Sequence, residues 1–326
     1  MTGTALWLLV LLPALVGGGL ALSHLERAAA AISVATAAAT AALSVLVAVS
    51  GPRVSMPFMA GSDFALGVDA LSALMAPTVA VVTLLVLVFS AGEITESRAR
   101  FHGLMLLFAS GALLTATAET LPALLFAWEV MGATSYALIG FWWRENRRVS
   151  AGLTAFVTTR TADLGLYLAA GAALAGGAGL ALADLPASSD GWRHVVAAGV
   201  LVAALGKAAQ LPFSFWLSGA MEGPSPVSAL LHSAAMVAMG GYLLLRTEPL
   251  LAATVWAAAA AAWVGALTAL LLGAVAVAQH DLKQLLAAST AAQLGFVVLA
   301  AGVGGVTAGA TQLVAVARMP VSSCTA

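Results

Sequence analysis

Apolar stretches of about 20 residues, nearly free of charge, recur along the whole of this sequence. Each is long enough to cross roughly 30 Å of hydrocarbon as a helix. Because lipid offers no hydrogen-bond partners, such a stretch has to satisfy its backbone internally, and these runs lack the alternation of barrel strands. Only 8% of the 326 residues are charged and 62% are hydrophobic, which excludes an ordinary soluble domain. The sequence predicts an all-α polytopic membrane protein.

The apolar segments number about eleven, which predicts about 10–11 transmembrane helices. They are Ala5–Leu22, Ala28–Ser50, Leu71–Phe89, His102–Ala118, Leu121–Trp142, Ala151–Gly171, Val195–Trp216 (interrupted), Pro226–Leu245, Ala252–Ala278, Leu285–Ala301 and Val306–Ala317, the last too short to span. The connections between them are short, and the longest lies around Leu182–Arg193. We therefore expect a single transmembrane domain over residues 1–326, without a soluble domain or linker.

The basic residues fall mainly on one side of the predicted bundle. Loops after odd-numbered segments carry Arg27, Arg98, Arg100, Arg144, Arg147, Arg148 and Lys283, and loops after even-numbered segments carry Arg53, Arg193 and Arg246. Cytoplasmic loops of membrane proteins are enriched in arginine and lysine. This bias predicts that the first set faces the cytoplasm and that the N-terminus lies outside.

Glu129 lies in the fifth apolar segment, about 12 Å from its start at 1.5 Å per residue. An ionisable side chain at that depth costs at least about 2.5–3.5 kcal/mol on insertion scales, so it needs a reason. Gly132, Ala133 and Tyr136 share its face and allow a neighbouring helix to approach closely. The two interpretations are a functional carboxylate and a structural partner for a buried base.

Lys207 lies well along the seventh segment and is followed by Pro212. Proline removes a backbone donor and clashes with the preceding turn, so we expect the helix to break or kink after the lysine. Broken helices within a membrane occur where they border protein or a wet cavity, and transporters use them as ion sites. The alternative is a lysine that extends its side chain to the membrane surface.

Four further ionisable residues complete the candidate set. Pro226 is placed to start the eighth helix, which puts His232 about 9 Å inside, where it could pass a proton or be a satisfied core residue. Arg160 and Asp163 are spaced i,i+3 in the sixth helix and can pair on one face, in a tuning or a scaffold role. Asp163 could also help set the charge of Lys207.

Lys283 lies with His280 and Asp281 at the end of the ninth helix or in the following turn. A position at the membrane edge explains it, and a transport role is secondary.

Nothing in the sequence predicts a bound cofactor or metal. No zinc or nucleophile spacing is present, and the glycine clusters do not form a phosphate-binding loop before a helix. The single cysteine, Cys324, rules out a cysteine-ligated iron–sulfur cluster within this chain. The net charge of −1 gives no reason to expect a nucleic-acid partner. If the protein takes part in redox chemistry, the electrons travel elsewhere.

Several stretches resemble the antiporter-like membrane subunits of respiratory complex I and the related Mrp-type antiporters. The resemblance runs through Asp69–Met75, Trp128–Glu129, Ser135–Trp142, Gly206–Pro212, Ala220–His232, Asp281–Lys283 and Ser289–Gly295. Together these motifs cover about residues 65–300. The run Met221–Ser228 favours the L-type subunit over the M- and N-types.

The resemblance implies a fold of two inverted five-helix repeats, each with one broken helix. Residues 1–100 would form the three N-terminal helices, 101–246 the first repeat with its break near Lys207, and 250–317 an incomplete second repeat. The family continues beyond this point, whereas residues 318–326 resemble nothing in it, so a truncated or frameshifted reading is one expectation.

The resemblance also implies residue roles. Glu129 matches the helix-five glutamate, Lys207 the broken-helix lysine and His232 a proton-relay position on helix eight. Asp163 and Arg160 match the helix-six acid and its neighbouring base, and in the family these residues form a water-linked relay.

Three functions follow as hypotheses. The first is proton translocation across the inner membrane coupled to NADH–quinone electron transfer, with other membrane subunits as partners and with quinone and NADH bound by those partners only. The second is a subunit of a cation/proton antiporter or ion-coupled uptake system without a redox partner. The third is a truncated, inactive remnant. An enzymatic redox centre of its own is not expected.

Overall fold

A computed structural model describes residues 2–59, 61–231 and 235–323 as a helical bundle with one small sheet. The elements are α1 (Thr2–Leu22), α2 (Ala29–Ser50), β1 (Arg53–Met59), β2 (Ser62–Gly67), α3 (Ala70–Glu93), α4 (Arg98–Thr117), α5 (Leu121–Ile139), α6 (Asn146–Ala175), α7 (Asp190–Lys207), α8 (Phe215–Ala220), α9 (Ser225–Ala229), α10 (Met236–Arg246), α11 (Glu248–Ala252), α12 (Val255–Val277), α13 (Leu282–Gly302) and α14 (Val306–Ser323), with a short 3-10 helix at Leu182–Ala187. The all-α polytopic prediction is confirmed.

Seven of the described helices are long and apolar enough to cross a membrane: α1, α2, α3, α4, α5, α12 and α13. The helix α6 is longer than any of them, with 30 residues, but it carries charged side chains within its apolar sequence. α10 and the apolar part of α14 are shorter. This multi-pass arrangement buries a core that runs through the whole bundle.

The connections place the chain's loops at two ends of the bundle. At one end, which we call the hairpin end, β1 pairs antiparallel with β2, and Arg53 contacts Glu119 at 2.9 Å. At the other, the basic end, Arg147 pairs with Glu222 at 2.6 Å and Lys283 Nζ lies 3.3 Å from the Gly223 carbonyl. The two sets of basic residues that the sequence separates therefore lie at opposite ends.

Small residues bring α6 and α7 into close contact. A side chain at Gly165 would collide with the Gly199 carbonyl at 2.4 Å, and one at Gly206 would collide with Ala162 at 2.2 Å. Without a hydrophobic force between helices in lipid, such close backbone packing stabilises helix pairs through van der Waals contact. Asp163 follows Ala162 on α6, and Lys207 follows Gly206 on α7. The close contact between the two helices therefore places Asp163 beside Lys207.

The helix break that Pro212 predicts is confirmed. α7 ends at Lys207 and α8 begins at Phe215. Between them Ala209 has a positive φ of 50°, and the Leu211–Pro212 peptide bond is cis. Lys207 therefore occupies the last turn of a helix that stops inside the bundle.

Three sequence expectations about the elements need correction. Residues 53–59 and 62–67 form the β1–β2 hairpin, where a short loop was expected, and the connection between α2 and α3 is longer than the one around Leu182–Arg193. The helix expected over Pro226–Leu245 is described as α9, which ends at Ala229, and α10, which begins at Met236, with residues 232–234 between them outside the described residues. The final segment, expected to end at Ala317, continues as α14 to Ser323. Hairpins with few β-branched residues and helix ends carry weak sequence signals.

Candidate functional site

The centre of the candidate site is an ion pair between Lys207 and Asp163. Lys207 Nζ lies 3.0 Å from Asp163 Oδ2, and the two side chains are 0% and 3% exposed. Asp163 lies near the middle of α6, and Lys207 ends α7. A buried charge without a partner is costly, so each of these groups stabilises the other in place.

Helix α5 completes the surroundings of this pair. Trp128 Nε1 donates to Asp163 Oδ1 at 2.6 Å, so the two carboxylate oxygens have different donors. The Lys207 ammonium also lies 5.0 Å from the centre of the Trp128 ring, a cation–π distance. A Cβ at Gly132 would lie 3.6 Å from Nζ, an ordinary van der Waals distance, so the ammonium packs directly against this turn of α5.

A second ion pair lies at the same level but on the side of the bundle. Arg160 contacts Glu129, and Tyr167 donates its hydroxyl to Glu129 Oε1 at 2.9 Å. The Arg160 guanidinium also lies 5.5 Å from the centre of the Tyr167 ring. The side chains of Arg160 and Glu129 are 38% and 29% exposed, so this pair is only partly enclosed.

The pairing differs from one sequence expectation. Arg160 and Asp163 do not pair with each other: Arg160 contacts Glu129 on α5 and Asp163 contacts Lys207 on α7. The i,i+3 spacing permits contact within the helix, but the two side chains diverge towards different neighbouring helices. The suggestion that Asp163 sets the charge of Lys207 agrees with the 3.0 Å contact.

Two predicted site residues, His232 and Lys283, are not part of these two ion pairs. His232 falls outside the described residues, so its role as a relay stays a prediction. Lys283 lies at the basic end, where its Nζ is 3.4 Å from the Met221 carbonyl. It lines a cleft of about 470 Å³ together with Arg147, Arg148, Glu93, Glu222 and Asp281. The turn position expected for Asp281 is confirmed, since its side chain caps α13 by accepting from the Gln284 amide at 2.9 Å.

Sequence reasoning missed two members of the site, Trp128 and Tyr167. Trp128 precedes Glu129, yet its ring points to the interior pair while the glutamate points to the outer pair. Tyr167 lies one turn beyond Asp163, and this i,i+4 spacing on a helix that already carries two charges was the available signal. Aromatic residues are common in apolar helices, so neither one stands out without its partners.

In the interior pair, the proton carried by Lys207 and the negative charge of Asp163 depend on each other. Loss of a proton from Lys207 would leave the Asp163 carboxylate unpaired in a dry site, which is strongly unfavourable. A proton can therefore leave only together with a compensating charge or with a rearrangement that admits water. The break after Lys207 is the irregular backbone at which such a rearrangement is possible.

The fold and these paired charges define a membrane antiporter-like subunit. Residues 118–320 match the family described as NADH:quinone oxidoreductase/Mrp antiporter, TM. The chain therefore belongs to this family, and the resemblance seen in its motifs is confirmed.

The relatives come from both branches of the family. NAD(P)H-quinone oxidoreductase chain 5 of Picosynechococcus sp. is 39% identical over 271 residues, covering 78% of this chain. NADH-quinone oxidoreductase subunit L of Mycobacterium tuberculosis is 38% identical over 248 residues, covering 74% of this chain. The structure is also similar to a chain of the Mrp complex from Dietzia sp., with a TM-score of 0.89, 28% identity and coverage of 98% of this chain.

The match covers a minor part of each relative. The alignments span 41% of the Picosynechococcus protein and 39% of the Mycobacterium protein. The structural match spans 37% of the Dietzia chain. The chain thus corresponds to about two fifths of the length of the proteins it matches.

Proposed function

We propose that this chain contributes to proton translocation across the membrane, coupled to NADH–quinone electron transfer in a multisubunit complex. Lys207 would hold the transported proton, Asp163 would balance its charge, and Glu129 with Arg160 would form the neighbouring step. His232 and Lys283 would extend the path, the first as a relay and the second at the basic end. Quinone and NADH would be bound by partner subunits.

The observation that carries this proposal is the Lys207–Asp163 pair, 0% and 3% exposed, at the point where a helix stops inside the bundle. A structural role alone would be served as well by apolar residues, since replacing a buried ion pair with well-packed hydrophobic residues is often neutral or stabilising. The relatives named as quinone oxidoreductase subunits support the coupling to electron transfer.

We further propose that the protein lies in the inner (plasma) membrane with its N-terminus outside. The support is the distribution of basic residues, because Arg98, Arg144, Arg147 and Lys283 belong to the basic end. The N-terminus lies at the hairpin end, where Gly3 approaches Val54 of β1. A reporter that fluoresces only in the cytoplasm, fused before residue 1 or within residues 140–145, tests this orientation.

The central test uses inverted membrane vesicles that contain the full-length protein in its complex. Acidification of the vesicle interior is followed with a pH-sensitive dye while NADH oxidation is measured in the same sample. Lys207→Ala should lower acidification per NADH oxidised by the whole share of protons that this chain carries, because the step that moves them is removed. Arg53→Gln is the matched control, because it removes a cation whose side chain is 70% exposed at the hairpin end.

Undiminished acidification in Lys207→Ala vesicles, with the variant present at normal amounts, would sink the proposal. A defect of equal size in Arg53→Gln would show that loss of any cation disturbs the complex. The measurement therefore separates a specific role for Lys207 from a general effect of charge.

A second candidate function is a subunit of a cation/proton antiporter without a redox partner. It is favoured by the likeness to a chain of the Mrp complex. The same vesicles distinguish the two: an imposed pH gradient, without NADH, should drive sodium movement only if the antiporter function is correct. NADH-driven acidification that is insensitive to sodium supports the first function.

A further inference from the structure

The break after Lys207 is fastened to two helices from the later part of the chain, α12 and α13. Gln210 is fully buried, and its Nε2 donates to the Ala208 carbonyl at 3.0 Å and to the Ala291 carbonyl of α13 at 3.1 Å. One amide group therefore joins the end of α7 to a different helix. Backbone groups freed by a break must find partners inside a membrane, and here a side chain supplies them.

A second tie comes from Thr268 on α12. The amide of Leu211 donates to Thr268 Oγ1 at 3.2 Å. The hydroxyl hydrogen of Thr268 is used elsewhere, in a bond to the Val264 carbonyl at 2.7 Å, so its oxygen is free to accept. Thr268 therefore accepts one hydrogen bond and donates another, as a single hydroxyl group can.

The segment beyond the break has space beside it. A cleft of about 190 Å³ lies between α8 and the α12–α13 pair, lined by Leu217, Leu272 and Ala288 among others. At the far end of this cleft Ser218 Oγ and Gln284 Oε1 are 2.5 Å apart. α8 is thus separated from α12 and α13 between these ties, while Trp216 Nε1 holds its other side to the Gly206 carbonyl at the end of α7 at 2.9 Å.

We propose that Gln210 is a positioning residue for Lys207, and that with Thr268 it forms a latch that couples the break to α12 and α13. This inference rests on the proposed function and adds a point of regulation to it. While the latch is closed, the last turn of α7 keeps the Lys207 ammonium against Asp163. Movement of α12 or α13 opens the latch, frees the residues after Lys207 and admits water to the ammonium.

The buried acceptor of Gln210 agrees with this role. Its Oε1 has no hydrogen-bond partner among the described residues, although the whole side chain is buried. Buried acceptors are nearly always paired, so this oxygen is available to a group outside the described residues. The bonds donated by Nε2 are the ones that tie the break to α13.

The test begins with hydrogen–deuterium exchange of the assembled protein in detergent or nanodiscs. Gln210→Leu and Thr268→Val each remove latch bonds while keeping a similar side-chain size. We expect amide exchange in residues 208–213 to become faster by about tenfold, the change that loss of one hydrogen bond produces. Thr268→Ser, which keeps the hydroxyl, should restore slow exchange at Leu211.

Gln293→Leu is the matched control. It removes a carboxamide from α13, the helix that accepts the hydrogen bond from Gln210. The partner of Gln293 is Gln312, however, and not a residue of the break. Exchange in residues 208–213 should remain at the wild-type rate. Equal acceleration in this control, or unchanged exchange in both latch variants, would overturn the latch.

The second readout is the pH profile of NADH-driven acidification in vesicles. Because water that reaches the ammonium favours its charged form, Gln210→Leu should move the alkaline limb of the profile to higher pH by about half a unit or more. A lower plateau with an unchanged profile would assign Gln210 a merely structural role. If Lys207→Ala leaves acidification intact, the proposed function fails, whereas the exchange result still decides whether the latch exists.

Discussion

Two ion pairs occupy the same level of this bundle in opposite surroundings. Lys207 and Asp163 are sealed inside, with 0% and 3% of their side chains exposed, whereas Arg160 and Glu129 remain 38% and 29% exposed on the side. The same two helices, α5 and α6, contribute to both. The outer pair can be reached from outside the bundle, but the sealed pair can exchange a proton only if the break moves.

The exposure of each pair decides how strongly the stability of the bundle depends on its charges. A sealed pair holds its charges by mutual attraction in a dry interior, so removal of one partner leaves an uncompensated charge. A half-exposed pair loses less, because a long side chain such as Arg160 can extend along the side of the bundle towards a polar region when its partner is removed.

The largest effect should follow from breaking the sealed pair. Asp163→Asn should reduce stability by about 3–5 kcal/mol, because it leaves the Lys207 charge buried without its counter-charge. The double variant Asp163→Leu with Lys207→Met should recover most of that loss, since it removes both charges together. Thermal unfolding in detergent measures both. A single variant as stable as the double variant would contradict the assignment of a sealed, charged pair.

A smaller effect should follow from removing the tryptophan donor. Trp128→Phe keeps an aromatic ring near Lys207 but deletes the Nε1–H that donates to Asp163 at 2.6 Å. A hydrogen bond to a charged group contributes about 1.5–3 kcal/mol, and the variant should lose an amount in that range. Trp143→Phe is the control, because Trp143 is 59% exposed at the basic end. Equal losses in the two variants would remove the carboxylate contact as the cause.

A third ion pair, between Asp69 and Arg246 at the hairpin end, is intermediate in exposure. Asp69 caps α3 and accepts from Arg246 Nη1 at 2.9 Å, and the two side chains are 42% and 9% exposed. Burial alone would raise the pKa of Asp69, but Arg246 and the hydrogen bonds from Ser72 outweigh it and hold the pKa below its usual value. The carboxylate therefore stabilises the fold at neutral pH, and this contribution is lost as pH falls through the lowered pKa.

Asp69→Asn tests this pair, because asparagine keeps the helix cap and removes only the charge. The variant should be less stable at pH 7 by about 1 kcal/mol, and the difference should shrink as the pH is lowered towards 3. Unfolding temperatures of the two proteins across this range provide the measurement. A difference that persists unchanged in acid would mean that the charge of Asp69 is not what stabilises the hairpin end.

The smallest effect should come from the outer pair. Glu129→Gln should cost less stability than Asp163→Asn, because Arg160 keeps the ring of Tyr167 and can extend towards a polar region, although the change should impair proton translocation. Tyr167 can still donate to the new side chain, which preserves one contact. A loss as large as that of Asp163→Asn would show that the outer pair is fully enclosed in the assembled membrane protein, and the contrast between the two pairs would disappear.

Much of the fold could be predicted because membrane helices leave a strong signal. Runs of about 20 apolar residues have one stable conformation in lipid, so the positions of α1–α5, α12 and α13 follow from composition alone. Pro212 predicted the break after Lys207 for a local steric reason. The β1–β2 hairpin was missed because β1 is largely exposed, and β2, which buries Phe64 and Leu66, is too short for its alternation to stand out.

The candidate site was only partly predictable. Depth along a helix identified Glu129, Asp163 and Lys207, since a charge in an apolar run is conspicuous in any sequence. Their pairing was not predictable, because a helix with charges at i and i+3 can direct both side chains to one partner or to two. Gln210 and Thr268 gave no signal, since a single polar side chain near a helix end is ordinary.

Sequence alone was enough to show that this chain crosses a membrane, where most of its helices lie, which helix breaks and which charges lie at membrane depth. These properties depend on local chemistry: hydrocarbon length, a missing backbone donor and the cost of a charge in lipid. Only the tertiary structure decided that Asp163 pairs with Lys207, that Arg160 pairs with Glu129, and that the break is tied to α12 and α13. Those contacts depend on the rotation and approach of neighbouring helices, which glycines such as Gly165 and Gly206 fix by close packing between α6 and α7.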